Sequence, residues 1–178
     1  MARADLTGVL LVGGASRRFG SPKALAKLDG ETLAERAWRI LGEACSHRVA
    51  VGKAADGLEL PFPLVDDGTD VRAALAGVVA GLRAAPTDLC VILPVDTPLM
   101  SAEALLRLAD ACVDAAVPAT GPLPGAYRRS ALPVLERRLA EGLLTLRDAV
   151  DELNARRVEV DAALLVNVNT PDDLRRLG

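Results

Sequence analysis

Short unbroken apolar runs alternate along this chain with stretches whose apolar positions recur every three or four residues. Residues 9–12 are the first such run, as a buried strand requires. Residues 31–42 then place Leu33, Ala37, Ile40 and Leu41 on one side of a helix. Residues 48–51 predict a second strand, and 63–65 a third that ends at Asp66-Asp67. Over 71–84, Leu75, Val78, Val79 and Leu82 share one helical face. Residues 89–93 are apolar throughout, which fits a central parallel strand covered on both sides. Ser101 caps a helix that runs through Cys112 and aligns Leu105, Leu108, Ala109 and Cys112.

Beyond Val113 the pattern loosens. Residues 115–118 and 124–127 predict strands around a Gly121-Pro122 turn. Residues 130–141 and 145–155 predict two helices parted at Gly142, and 164–168 a late strand. Thr170-Pro171-Asp172-Asp173 opens a last helix, with a capping Thr, Pro in the first turn and acids at the N-terminus. The alternation predicts the α/β class: a Rossmann-like three-layer α/β/α sandwich around a mostly parallel sheet. No repeat, low-complexity tract or linker breaks it, so residues 1–178 are expected to form one domain.

Composition narrows the picture. Apolar residues make up 51% of the 178 and aromatics 2%, so the core must be built of Leu, Val and Ala. A net charge of −3 argues against nucleic-acid binding. Cys45, Cys90 and Cys112 are odd in number and far apart, which supports neither a disulfide framework nor a zinc site. No leader or membrane-length apolar stretch is visible, so a cytoplasmic protein without membrane partners is expected. Glu136-Arg137-Arg138 reads as a solvated helix face.

Candidate chemistry gathers after the strands. The first strand opens into a loop with Gly13, Gly14, Ser16, Arg17, Arg18, Gly20 and Lys23. Glycines let backbone N–H groups approach phosphate oxygens, and the cations offset phosphate charge. The spacing is neither that of the Walker A loop nor G-x-G-x-x-G. Lys23 either folds back over a triphosphate or is a surface lysine. Asp96, in Leu93-Pro94-Val95-Asp96-Thr97-Pro98, either holds Mg²⁺ or shapes a turn. Asp66 and Asp67 either bind a metal or ligand hydroxyl or form a turn. Asn167 and Asn169 flank Val168, so within a strand they share a face and suit a polar heterocycle. The alternative is that they end a strand and cap a helix. The single histidine, His47, stands apart, and no Ser/His/Asp or Cys/His set assembles. What remains is positioning and charge neutralisation, the means of phosphoryl and nucleotidyl transfer.

The opening Leu11-Val12-Gly13-Gly14-x-Ser16-x-Arg18-Phe19-Gly20-x-x-Lys23 resembles the signature loop of Rossmann-like nucleotidyltransferases. Within them the chain is most similar to the molybdenum cofactor guanylyltransferases. Leu75-Ala76-Gly77, 94–98, 122–129 and 166–174 resemble that family's later motifs, in order and over nearly the whole chain. The resemblance implies a nucleotide-diphospho-sugar-transferase type of fold. It also implies transfer of GMP from GTP to molybdenum-loaded molybdopterin, with release of pyrophosphate and with Mg²⁺ as cofactor. By the same resemblance the Leu11, Val12, Gly13 and Gly14 backbone reads the base, with Gly77 beside it. Arg18 and Lys23 hold phosphates, Asp96 binds the metal, Asp67 contacts the nucleotide, and Asn167 and Asn169 lie on the pterin side. Lys23, Asp96 and Arg18 are then the catalytic set. A monomer is expected, with molybdoenzyme-associated proteins as further partners. Gly13 and Gly77 favour guanine over the cytosine of related cytidylyltransferases, because a Cβ there would crowd a purine. The chain departs from the family pattern at Val12, Gly52, Ala73-Ala74 and Val95. The alternative is a molybdopterin cytidylyltransferase or a related nucleotidyltransferase, and the non-enzyme alternative is a cofactor-binding delivery module without transfer activity.

Overall fold

A computed structural model of the chain describes residues 1–13 and 19–178. Among them, seven strands form one sheet: β1 (Arg3–Leu11), β4 (Cys45–Gly52), β5 (Leu64–Asp66), β6 (Leu89–Pro94), β7 (Ala115–Pro118), β8 (Gly125–Arg128) and β9 (Ala155–Val158). Their order is β5-β4-β1-β6-β8-β7-β9, parallel except for β8, which runs antiparallel to β6 and β7. The remaining two, β2 (Lys27–Leu28) and β3 (Glu31–Thr32), make a small hairpin. Helices α1 (Leu33–Ala44) and α3 (Ala102–Ala111) cover one face of the sheet; α2 (Ala74–Ala84), α4 (Leu132–Ala140) and α5 (Leu146–Asp151) cover the other. The fold is thus the three-layer α/β/α sandwich with a mostly parallel sheet.

The period-two geometry of β1 divides the core. Leu6 and Leu10 join the α1/α3 side, whereas Val9 and Leu11 join the α2 side, all at 7% exposure or less. Gly81 lets α2 press onto the strand: a Cβ there would come within 2.5 Å of Val9 Cγ1. The first helix is set by Thr32, whose hydroxyl accepts from Glu35 N while the Glu35 carboxylate accepts from Thr32 N. Thr170 and Asp173 repeat this box at α6 (Pro171–Arg175).

Three expectations are corrected. Residues 164–168 are not a strand: 162–165 form a 3₁₀ turn and the rest is irregular. Asn167 and Asn169 therefore do not share a strand face. The helix expected over 145–155 ends at Asp151, and the chain then enters β9. Arg138 does not lie on a solvated face. It is 7% exposed and paired with Glu152 and Asp148, although its neighbour Arg137 is solvated.

Candidate active site

In this sheet β4 and β5 lie on one side of β1, and β6 on the other. A crevice opens at such a reversal, beyond the carboxyl ends of the strands. Here it is a cleft of about 380 Å³. Leu11 and Gly13 stand at its middle, with Gly77 of α2 beside them. Lys53, Asp67 and Arg72 line the β4–β5 end; Asp96, Leu123 and Asn167 line the β6 end.

At the β6 end, Pro94 closes the strand and a tight turn presents Asp96. The turn is anchored on every side. Val95 N donates to Leu11 O (3.0 Å), and the buried Thr97 hydroxyl donates to Pro94 O (3.0 Å). Val168 N donates to Asp96 O (2.8 Å), which docks the C-terminal segment onto the turn. Lys23 leads a 3₁₀ turn and brings its Nζ to 3.7 Å from Asp96 Oδ2 and 3.4 Å from Asn169 Oδ1. Burial pushes the Asp96 carboxyl above the ordinary carboxylate range, and Lys23 only partly offsets this. Asn169 N and Thr170 N both donate to Asp173 Oδ2, which fixes the segment that carries the two asparagines.

The other end is built differently. Lys53 Nζ donates to both Asp67 oxygens at 2.8 Å and to Thr69 O, so its three protons are all in use. Asp67 Oδ1 also accepts from Thr69 N (3.1 Å). The adjacent Asp66 is a turn residue: its carboxylate accepts from Ala54 N (2.6 Å) and Gly68 N (2.7 Å), which holds it below the usual carboxylate range. Arg72 reaches outward to Asp56, with N–O distances of 2.7 and 3.2 Å.

Most of the sequence-derived residues therefore meet in one place. Leu11, Gly13, Asp67, Gly77, Asp96 and Asn167 line the cleft, and Lys23 and Asn169 join it through Asp96 and each other. Gly14 and Arg18 lie outside the described residues. Val12 is a partial exception. Its side chain is in the core, and its N–H is already given to Val51 O at 3.0 Å. Leu11 O likewise accepts from Val95 N, so two of the backbone groups expected to read a base are committed within the protein. A Cβ on Gly13 would meet nothing closer than Gly52 Cα at 3.8 Å, so protein packing does not demand glycine there. At Gly77 a Cβ would come within 2.9 Å of Leu11 Cδ2, so glycine there serves helix–strand approach. Leu123 belongs to the 122–129 segment matched to a family motif, whereas Lys53 and Arg72 carry no sequence signal used above. Lys53 follows β4 directly, and treating the end of every parallel strand alike would have found it.

Nucleophilic chemistry finds no support among the described residues. The three thiols are buried, and burial pushes Cys45 and Cys90 up to about 12 and Cys112 to about 11. His47 is exposed on β4, away from the cleft lining. Among the described residues no cluster of three metal-ligating side chains occurs, and no helix is long and apolar enough to cross a membrane. The donor set suits Mg²⁺, which is usually held by one or two carboxylates together with substrate phosphates rather than by a protein cage.

A family model described as the MobA-like NTP transferase domain matches residues 8–158. A probable molybdenum cofactor guanylyltransferase of Chloroflexus aggregans is 35% identical, with 96% of this chain and 92% of that protein covered. A molybdenum cofactor guanylyltransferase of Desulfosudis oleivorans is 30% identical, over 96% of this chain and 93% of the other. Among solved structures, molybdopterin-guanine dinucleotide biosynthesis protein A from Archaeoglobus fulgidus superposes with a TM-score of 0.82 at 28% identity, covering 96% of both chains.

Proposed function

Because the chain belongs to the MobA-like NTP transferase family, we propose that it transfers GMP from GTP to the terminal phosphate of molybdenum-loaded molybdopterin. The products are molybdopterin guanine dinucleotide and pyrophosphate. Two relatives named for this activity match over nearly the full chain, and one arrangement in the cleft carries the chemistry. Asp96 and Lys23 meet 3.7 Å apart at the end of β6, with the C-terminal segment docked on the same turn.

In this reading the nucleotide lies across the ends of β1 and β4, with its base toward Asp67 and Gly77 and its phosphates toward Lys23. Lys23 holds phosphate oxygens, together with Gly14 and Arg18 of the same loop. Asp96 would hold Mg²⁺, which would neutralise phosphate charge when bound. Asn167 and Asn169 face the pterin. An oxygen of the pterin's terminal phosphate attacks the α-phosphorus in line. The bond from that phosphorus to the α–β bridging oxygen breaks, and pyrophosphate departs with the electron pair. No side chain needs to become covalently attached; the protein positions and neutralises. The enzyme acts as a cytoplasmic monomer.

The test is pyrophosphate release from GTP with Mg²⁺ and molybdenum-loaded molybdopterin, with CTP in parallel. Release that needs GTP and acceptor together is the expected result. Equal use of CTP moves the chain to the cytidylyltransferases, and tight pterin binding without release makes it a delivery module.

A further inference from the structure

The β4–β5 end of the cleft is a slot with small or branched apolar walls: Val51, Gly52, Val71, Ala73, Ala74 and Gly77. Such walls accept a flat ring but do not identify it. Among the described residues, the polar side chains lining that end are Lys53, Asp67 and Arg72. Lys53 and Asp67 are closed on each other: their side chains are 10% and 8% exposed, and every Lys53 proton is spent. Arg72 is placed otherwise. Its side chain is 51% exposed, and its fork grips the carboxylate of Asp56, on the 3₁₀ turn Ala54–Asp56. Exposed ion pairs of this kind contribute little to stability, so releasing the guanidinium from Asp56 costs the fold almost nothing. The Asp67 charge also acts on Arg72, which places the guanidinium within the field of the cleft wall.

We infer that Arg72 is the specificity-determining residue for the base, its guanidinium turning from Asp56 to donate to two adjacent acceptors on a purine ring. This rests on the nucleotide reading above and goes beyond it. A guanidinium only donates, through two parallel N–H groups. Guanine matches that fork with O6 and N7 side by side. Adenine offers N7 next to an amino group, which sets donor against donor, and cytosine has no O6/N7 edge at all. Arg72 thereby reads chemistry that a glycine-lined slot cannot, and Asp56 parks the guanidinium when no nucleotide is present. The phosphates belong to the opposite end, where Lys23 and Asp96 meet.

The experiment is calorimetric titration with Mg²⁺ and either GTP or 7-deaza-GTP, in which a carbon replaces N7. The unaltered protein is expected to bind 7-deaza-GTP about tenfold more weakly, the loss of one hydrogen bond from a charged donor. Arg72→Ala binds the two equally and GTP about as weakly as the unaltered protein binds the analogue, or more weakly still. Arg72→Lys keeps the charge and loses the fork, so it also loses most of the preference. Equal binding of both nucleotides by the unaltered protein overturns the inference while leaving the guanylyl reading intact. Full preference in Arg72→Lys overturns it as well. Failure of the unaltered protein to bind GTP at all removes that reading and this inference together.

Discussion

The two ends of the cleft each hold a lysine–aspartate pair, and the pairs are opposites. Lys53 and Asp67 are nearly buried, 2.8 Å apart, with every lysine proton bonded. Lys23 and Asp96 are 3.7 Å apart, with side chains 17% and 30% exposed. A closed, desolvated pair is a wall: neither partner can leave without stranding the other's charge. A looser, partly exposed pair suits the proposed reaction, in which its members would separate around a phosphate and a cation. In the proposed reaction the same two residue types would serve as structure at one end and as chemistry at the other, with distance and solvent deciding which.

The largest effect should come from the loose pair. Asp96→Asn is expected to lower GMP transfer by a factor on the order of 100 or more, comparable to loss of one charge-stabilising group in a transition state. Its melting midpoint should not fall, because burial already disfavours the charged form of that carboxyl. A midpoint that drops sharply would make Asp96 a structural acid and erase the contrast. The closed pair should behave in the reverse way. Lys53→Met, measured by urea unfolding, is expected to cost about 3–5 kcal/mol, since Asp67 would be left buried and unpaired. Combining it with Asp67→Leu should recover most of that loss; additive costs would show that the two residues do not act as a pair. Lys23→Met should change stability by less than about 1 kcal/mol, as for other loose ion pairs near solvent. The smallest effect belongs to Asp56. Arg72 holds its carboxyl below the ordinary range, so its contribution is present above the ordinary carboxylate pKa and fades as pH falls through the depressed value. Asp56→Asn should slightly flatten the acid side of the stability–pH profile and leave neutral pH nearly unchanged.

What could be read from the sequence divides along similar lines. The central β6 was plain because all of 89–93 is apolar, as two covering layers require. The run 164–168, apolar but for Asn167, makes no ladder; its Val168 N–H goes to the turn after β6 instead. In β9, Ala155-Arg156-Arg157-Val158 has no alternating apolar face, because an edge strand beside β7 needs none, so the sequence pattern predicts no strand there. Asp96 and Lys23 were legible from strand ends and a Gly-rich loop. The partnership of Lys53 with Asp67 was not, since it exists only because β4 and β5 lie side by side. Val12 shows a subtler limit: a motif locates a loop but does not reveal which of its N–H groups the sheet has already taken.

The bond from Val168 N to Asp96 O has a consequence in time as well as in space. The ribosome makes the two residues about seventy positions apart, and at roughly 5–20 residues per second that gap lasts several seconds. During it, the turn that carries Asp96 has been made and the segment that docks on it has not. On the proposed function, a newborn molecule should hold GTP before it can hold anything to give the nucleotide to. Chains stalled between residues 130 and 160 should bind nucleotide without acceptor, whereas chains released past residue 170 should bind both.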